Sequence, residues 1–119
     1  MDYKNKTFRA SVLCALKGVG AAFRTEKNFK YYFGILIVFL IVNLLCHISI
    51  YGHVIFIVCC GGVFSAEMLN TAIEHIANMA TTEPSEEIRI IKDIAAGGVV
   101  LWGVAFFLME GVFIWHRFF

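Results

Sequence analysis

Apolar residues dominate three long blocks of the chain. Tyr31 to Ile50 is almost uninterrupted, broken only by Asn43, His47 and Ser49. A second block opens at His53-Val54 and runs to Ala80, and a third follows Lys92-Asp93 and runs to Trp115. Each has the roughly 20 residues that a membrane-crossing helix needs. The predicted spans are about 31–50, 54–80 and 93–115. Ahead of them, Phe8, Val12, Leu13, Leu16, Val19 and Phe23 recur at helical spacing among Lys4, Lys6, Arg9, Lys17 and Arg24. That pattern predicts an amphipathic helix over about 4–26, lying on the membrane surface. Residues 81–91 are a polar connection, and Trp115-His116-Arg117-Phe118-Phe119 reads as an interfacial anchor. A cleaved leader is not expected, because the first apolar run starts only after a long charged stretch and no small-residue cleavage site follows it. The fold class is therefore an all-α membrane protein, one domain over 1–119: a surface helix plus three transmembrane helices in an oligomeric bundle. Three spans offer little interior for polar groups, hence the expected oligomer.

Composition agrees. The 119 residues are 60% hydrophobic and 16% charged, with a mean hydropathy of +0.77. The net charge of +1 gives no reason to expect a nucleic-acid partner. Cys14, Cys46, Cys59 and Cys60 lack disulfide or zinc spacing and read as small apolar helix residues. Of the ten Lys and Arg, seven precede the first span, Arg89 and Lys92 lie between the second and third, and Arg117 is in the tail. The positive-inside rule then puts the N-terminus and the second loop in the cytoplasm.

One feature does not fit a plain membrane anchor. On a helical wheel of 100° per residue, Glu67, Asn70, Glu74 and Asn78 of the second span fall at about 0°, 300°, 340° and 20°, with Thr71 beside them. A charge at the centre of a bilayer costs about 2.5–3.5 kcal/mol on insertion scales, so carboxylates in such a segment mark function. The stripe is graded, with Glu74 and Asn78 nearer the cytoplasmic end and Glu67 deeper. This suits transfer between a water-soluble phosphate donor and a lipid headgroup. Glu74 can supply an oxygen to Mg²⁺, which usually keeps waters and substrate phosphates as its other ligands. Glu67, in a drier place, suits a general base. Lys92 can neutralise phosphate charge, and Asp93 can orient it. A purely structural polar seam between helices would explain Asn70 alone, but not two glutamates with it.

A small oligomeric ion channel or proton-coupled transporter also uses intramembrane carboxylates, but needs polar groups through the whole depth. Glu26, Glu67, Glu74, Lys92 and Asp93 crowd towards one side, leaving Asn43 and Glu110 as the only candidates on the other. A non-catalytic assembly protein leaves the stripe unexplained. Glu110 has three open fates: snorkelling outward, pairing with His116 or Arg117, or staying protonated. His47, His53, His75 and His116 lack ligand spacing. No G-x-x-x-x-G-K-[ST] loop occurs, and Gly61-Gly62 and Gly97-Gly98 read as close helix-packing positions. Nucleotide binding must then use side chains and metal, which phosphoryl transfer permits.

The run Ala66-Glu67-Met68-Leu69-Asn70-Thr71-Ala72-Ile73-Glu74 resembles the signature of the prokaryotic diacylglycerol kinase family, which includes undecaprenol kinases. Lys92-Asp93-Ile94-Ala95-Ala96-Gly97 resembles its second block. Ala15-Leu16-Lys17-Gly18 and Arg24-Thr25-Glu26-Lys27-Asn28-Phe29 resemble its N-terminal part. The resemblance covers about residues 7–115. It implies a homotrimer in the bacterial inner membrane that phosphorylates a lipid hydroxyl with Mg²⁺ and ATP, in sites composed across subunits. Carried over by position, Glu67 is the general base and Glu26 and Glu74 bind metal. Asn78, Glu83, Lys92 and Asp93 join Glu26 and Glu74 around the nucleotide, and Lys17 and Asn70 join Glu67 at the lipid substrate. The wording of the two main blocks looks more like the polyprenol-kinase branch, favouring undecaprenol over diacylglycerol. Two departures stand out. Asn78 replaces the usual aspartate, losing a charge towards metal or nucleotide. Pro84-Ser85 follows Glu83 where an aromatic-His pair is usual, which bears on donor preference.

Overall fold

The computed structural model describes residues 7–80, 83 and 85–119. Lys4 and Lys6 of the expected surface helix, and Pro84 of the second loop, lie outside the described residues. The described chain forms four helices: α1 (Phe8–Thr25), α2 (Lys27–Leu45), α3 (Ile50–Ala80) and α4 (Glu86–Phe118). The last three are long and apolar enough to cross a membrane, so the all-α membrane class stands.

Local chemistry explains the breaks. Thr7 caps α1, its side chain accepting from Ala10 N–H at 3.1 Å. α2 ends on a Schellman motif: His47 N–H bonds Leu44 C=O and Ile48 N–H bonds Asn43 C=O. His47 holds the left-handed conformation this motif needs (φ 53°), and histidine tolerates it better than most residues. Ser49 then caps α3 by accepting from Gly52 N–H at 3.4 Å. Glu86 and Glu87 open α4 and His116 and Arg117 close it, each sign matched to the helix dipole.

α3 and α4 pack antiparallel along most of their length, while α1 and α2 approach the rest more sparsely. The core joins Leu36 of α2, Phe56, Cys59 and Val63 of α3, and Phe106 of α4. Phe39 and Phe106 meet edge-on at 5.1 Å. Much of the remaining apolar surface is outward, including Ile57, Val58, Leu101 and Leu108. In hydrocarbon this costs nothing, because lipid tails are as apolar as leucine. Phe8, Val12, Leu13 and Leu16 of α1 are likewise uncovered, as a helix lying on a bilayer requires.

Of the four glycines expected at close contacts, only Gly62 makes one within this chain. A Cβ there would run into the Trp102 ring, whereas Gly61, Gly97 and Gly98 face open space. The α3–α4 seam is one side-chain stripe wide, so neighbouring positions turn away from it. Gly62→Ala is expected to lower stability by about 1–3 kcal/mol by overpacking. Gly61→Ala should be neutral or raise stability by up to about 1 kcal/mol through helix propensity. Thermal unfolding of both variants in detergent, read by tryptophan fluorescence, checks the pair; equal effects would mean that Trp102 does not lie on Gly62.

Helix length sets the site's height. At 1.5 Å per residue α2 is about 28 Å long, close to the ~30 Å of bilayer hydrocarbon. α3 and α4 are about 46 and 50 Å long. α2 begins level with Phe64 and Glu67: Phe29 and Phe64 are 5.4 Å apart, and Asn28 bonds Glu67. The hairpin of α3 and α4 therefore projects about 20 Å beyond the start of α2, as a two-helix stalk with Glu74 at its base and Asn78, Lys92 and Asp93 further out.

Candidate active site

The site is built at the elbow between α1 and α2. Glu26 is extended (φ −103°, ψ 118°), serving at once as the last cap of α1 and the first of α2. An aromatic cluster holds the elbow against α3. Phe23 lies 5.1 Å from Phe29, 5.7 Å from Phe33 and 5.6 Å from Phe64, and Phe29 is fully buried. Phe64 is one turn before Glu67 on α3, so the cluster forms an apolar floor under the carboxylate.

Glu67 is 2% exposed. Asn28 Nδ2 donates to its Oε1 at 3.5 Å, and the charges of Glu74 and Glu26 act on it. The structure thus groups three carboxylates that the sequence places on two separate elements. Asn70 is buried, and its Nδ2 donates to Glu74 Oε1 at 3.4 Å. Its Oδ1, like Thr71 Oγ1, is buried without a hydrogen-bond partner among the described residues. His75 Nε2 lies 3.9 Å from Glu26 Oε1, tying the elbow to α3 one residue beyond Glu74.

Further out on the stalk, Lys92 Nζ donates to Asn78 Oδ1 at 2.7 Å, joining α4 to α3. Arg89 Nη1 donates to Asp93 Oδ2 at 2.8 Å and also pairs with Glu86. Lys17 lies exposed on α1, nine residues or about 14 Å before Glu26 along the helix. Glu83 is exposed in the connection between α3 and α4. The sequence-predicted residues therefore sort into an inner group (Glu26, Glu67, Asn70 and Glu74) and a stalk group (Asn78, Lys92 and Asp93), with Lys17 on the exposed side of α1 and Glu83 in the connection between α3 and α4.

Three residues named in the sequence are given no role at the site there. Asn28 and His75 touch Glu67 and Glu26 across helices, and Arg89 bonds Asp93. Asn28 had one available signal, a polar residue at the mouth of a span two positions after Glu26.

Among the described residues no three His, Cys, Asp or Glu side chains form a closed metal cage. Mg²⁺ does not need one, since one or two carboxylates and substrate phosphates commonly suffice. Half-buried Glu26 and Glu74, with the unpaired Asn70 Oδ1 between α3 and α4, make a hard-oxygen set that fits such an ion. Beside them, an open groove of about 640 Å³ runs between α3 and α4. Gly61, Gly62, Ala95 and Gly98 line it together with Asn70 and Ile73.

A profile of the family "Prokaryotic diacylglycerol kinase" matches residues 13–115. The chain belongs to this family. It is an integral-membrane lipid kinase. The matched region takes in Glu26, both blocks of the α3–α4 site, all of α2 and α3, and α4 as far as Trp115. Over 105 residues the chain is 35% identical to the undecaprenol kinase of Bacillus subtilis (strain 168), covering 87% of this chain and 85% of that protein. It is 29% identical over 98 residues to a diacylglycerol kinase of Synechocystis sp. (strain ATCC 27184 / PCC 6803 / Kazusa), covering 82% of this chain and 56% of that longer protein.

Proposed function

We propose that this lipid kinase phosphorylates the primary hydroxyl of undecaprenol, in preference to diacylglycerol, using Mg²⁺-ATP at the cytoplasmic face of a bacterial inner membrane. The observation that carries the reading is the placement of Glu67: a buried carboxylate at the level where α2 begins, under a water-accessible stalk of charged residues. A lipid hydroxyl and a soluble nucleotide meet only at such a boundary. Undecaprenol is favoured by the wording of the two main blocks and by the greater identity to the Bacillus undecaprenol kinase.

In this mechanism Asn28 holds Glu67 Oε1, leaving Oε2 to take the proton of the lipid hydroxyl. The lipid oxygen then bonds the γ-phosphorus as the bond from that phosphorus to its bridging oxygen breaks, releasing ADP. Glu26 and Glu74 would hold the Mg²⁺, which would neutralise charge on the phosphate oxygens. Lys92 adds a positive charge at the phosphates, with Asn78 and Asp93 completing the nucleotide site. Glu83 contributes to the same site from the connecting loop, and Lys17 contacts the lipid headgroup from α1. Basic residues before α2 and around the stalk support a cytoplasmic position for both. The exposed groove lined by Asn70 fits a homotrimer whose sites are completed across subunits.

The channel or transporter reading lacks a path. Asn28–Glu67 and Asn43–Glu110 are polar pairs about 22 Å apart along α2. Between them lie Leu36, Phe56, Val63 and Phe106, with no continuous run of polar groups among the described residues.

Asn78→Asp is expected to preserve or improve nucleotide use. It restores the family's usual charge and keeps an oxygen for Lys92, now as an ion pair. A KM for ATP lowered by about 2–5-fold is the expected scale for a partly exposed pair, and a large loss of activity would mean the nucleotide lies elsewhere. Substrate choice is tested by offering undecaprenol and diacylglycerol together in mixed micelles with labelled Mg²⁺-ATP. Preferential labelling of undecaprenol supports the assignment, and preferential labelling of diacylglycerol overturns it while leaving the kinase chemistry intact.

A further inference from the structure

The end of the bundle away from the active site contains a second buried polar pair that the kinase reaction does not use. Asn43, in the last turns of α2, is 1% exposed, and Glu110 of α4 is 4% exposed. Glu110 neither snorkels outward nor pairs with His116 or Arg117. Its Oε1 accepts from Asn43 Nδ2 at 3.3 Å. Asn43 Oδ1 and the other carboxyl oxygen, Glu110 Oε2, are buried and without a hydrogen-bond partner among the described residues. Both are acceptors when the carboxyl is ionised. An ionised Glu110 would therefore leave two buried lone-pair groups without a donor and a charge within hydrocarbon. One hydrogen on Oε2 resolves all three, because a neutral carboxylic acid and a primary amide are complementary: each has one donor and one acceptor on the facing edge.

We propose that Asn43 and Glu110 form a proton-binding site, in which Glu110 carries a proton on Oε2 and donates it to Asn43 Oδ1, closing a two-bond acid–amide ring that pins α2 to α4. The titratable groups within electrostatic reach of Glu110 are His53, Cys59 and Cys60, all on α3. The facing group from α2 is the uncharged Asn43. The pin matters because α2 packs on the rest of the chain more sparsely than α3 and α4 pack on each other. The opposite end of α2 carries Asn28, so the outer ring also sets how that helix meets the α3–α4 hairpin. The inference does not depend on the kinase reading.

The test uses the full chain in detergent, as wild type, Glu110→Gln, Glu110→Ala and Asn43→Leu. Thermal unfolding is followed from about pH 4 to about pH 10, together with the infrared carboxylic-acid stretch. Wild-type stability should be greatest near the ordinary glutamate range, where the unfolded chain is protonated too, should fall by about 5 °C or more as pH rises while only the folded protein holds the proton, and should level off once the folded protein releases it. Glu110→Gln presents an amide N–H where the acid has its O–H, so it should unfold within about 2 °C of wild type near neutral pH and lack this fall. Glu110→Ala should be destabilised at every pH. A protonated-acid band should be present in wild type, absent in Glu110→Gln and shifted in Asn43→Leu, where the acid loses its amide partner. A Glu110→Gln protein that is as unstable as Glu110→Ala, or fails to fold, overturns the proposal. So does a wild type with no acid band sensitive to Asn43→Leu. An unfolding midpoint that rises with sodium in wild type but not in Glu110→Gln would also overturn it, by identifying a monovalent-cation site.

Discussion

Replacing Glu67 with glutamine is expected to lower kcat by about 10²–10⁴-fold, the usual worth of a positioned general base. Glutamine keeps the size of the side chain and an oxygen to accept from Asn28, so the aromatic floor beneath it and the α2–α3 contact should survive. The oligomer should elute as wild type does, and the KM for nucleotide should change little, because the lost function is proton removal from the lipid hydroxyl and not binding. Steady-state kinetics beside size-exclusion chromatography makes the comparison. Near-normal turnover from a folded Glu67→Gln protein would remove Glu67 as the base.

Glu74→Ala should be nearly as damaging for a different reason. Glu74 is the half-buried carboxylate between Glu67 and the stalk, and it accepts from Asn70 Nδ2. Removing it takes away one proposed metal ligand and leaves the Asn70 amide unpaired beside its already unpaired oxygen. A fall of about 10²–10³-fold in kcat/KM is expected, in line with loss of an electrostatic stabiliser of phosphoryl transfer. The residual activity should need more Mg²⁺ than wild type does, since added ion offsets a weakened site by mass action. Activity measured across a Mg²⁺ series checks this, and an unchanged metal requirement would contradict the role of Glu74 as a ligand.

Elements governed by periodicity were readable from the chain. The three apolar blocks and the amphipathic segment correspond to the four helices. The arc of Glu67, Asn70 and Glu74 was readable because spacing on one helix determines which side chains share a face. Contacts between helices were not readable, because they depend on where separate faces meet. Asn28 on Glu67, His75 beside Glu26, Arg89 on Asp93 and Lys92 on Asn78 are all of this kind or local rotamer choices. Glu110 shows the difference clearly. From sequence it had several open fates, and only the approach of α2 to α4 selects Asn43 as its partner. Gly61 and Gly62 carry the same lesson, since two adjacent glycines look alike in sequence and only one faces Trp102.

The most direct test of the central claim is transfer of labelled γ-phosphate from Mg²⁺-ATP into extractable lipid, by wild type and Glu67→Gln side by side in micelles containing undecaprenol. Label in the lipid with wild type, and its loss in a mutant that still assembles, is the predicted result. Equal labelling by both proteins, or no labelling by a well-folded wild type with metal and acceptor present, would contradict the assignment of this intramembrane carboxylate site to lipid phosphorylation.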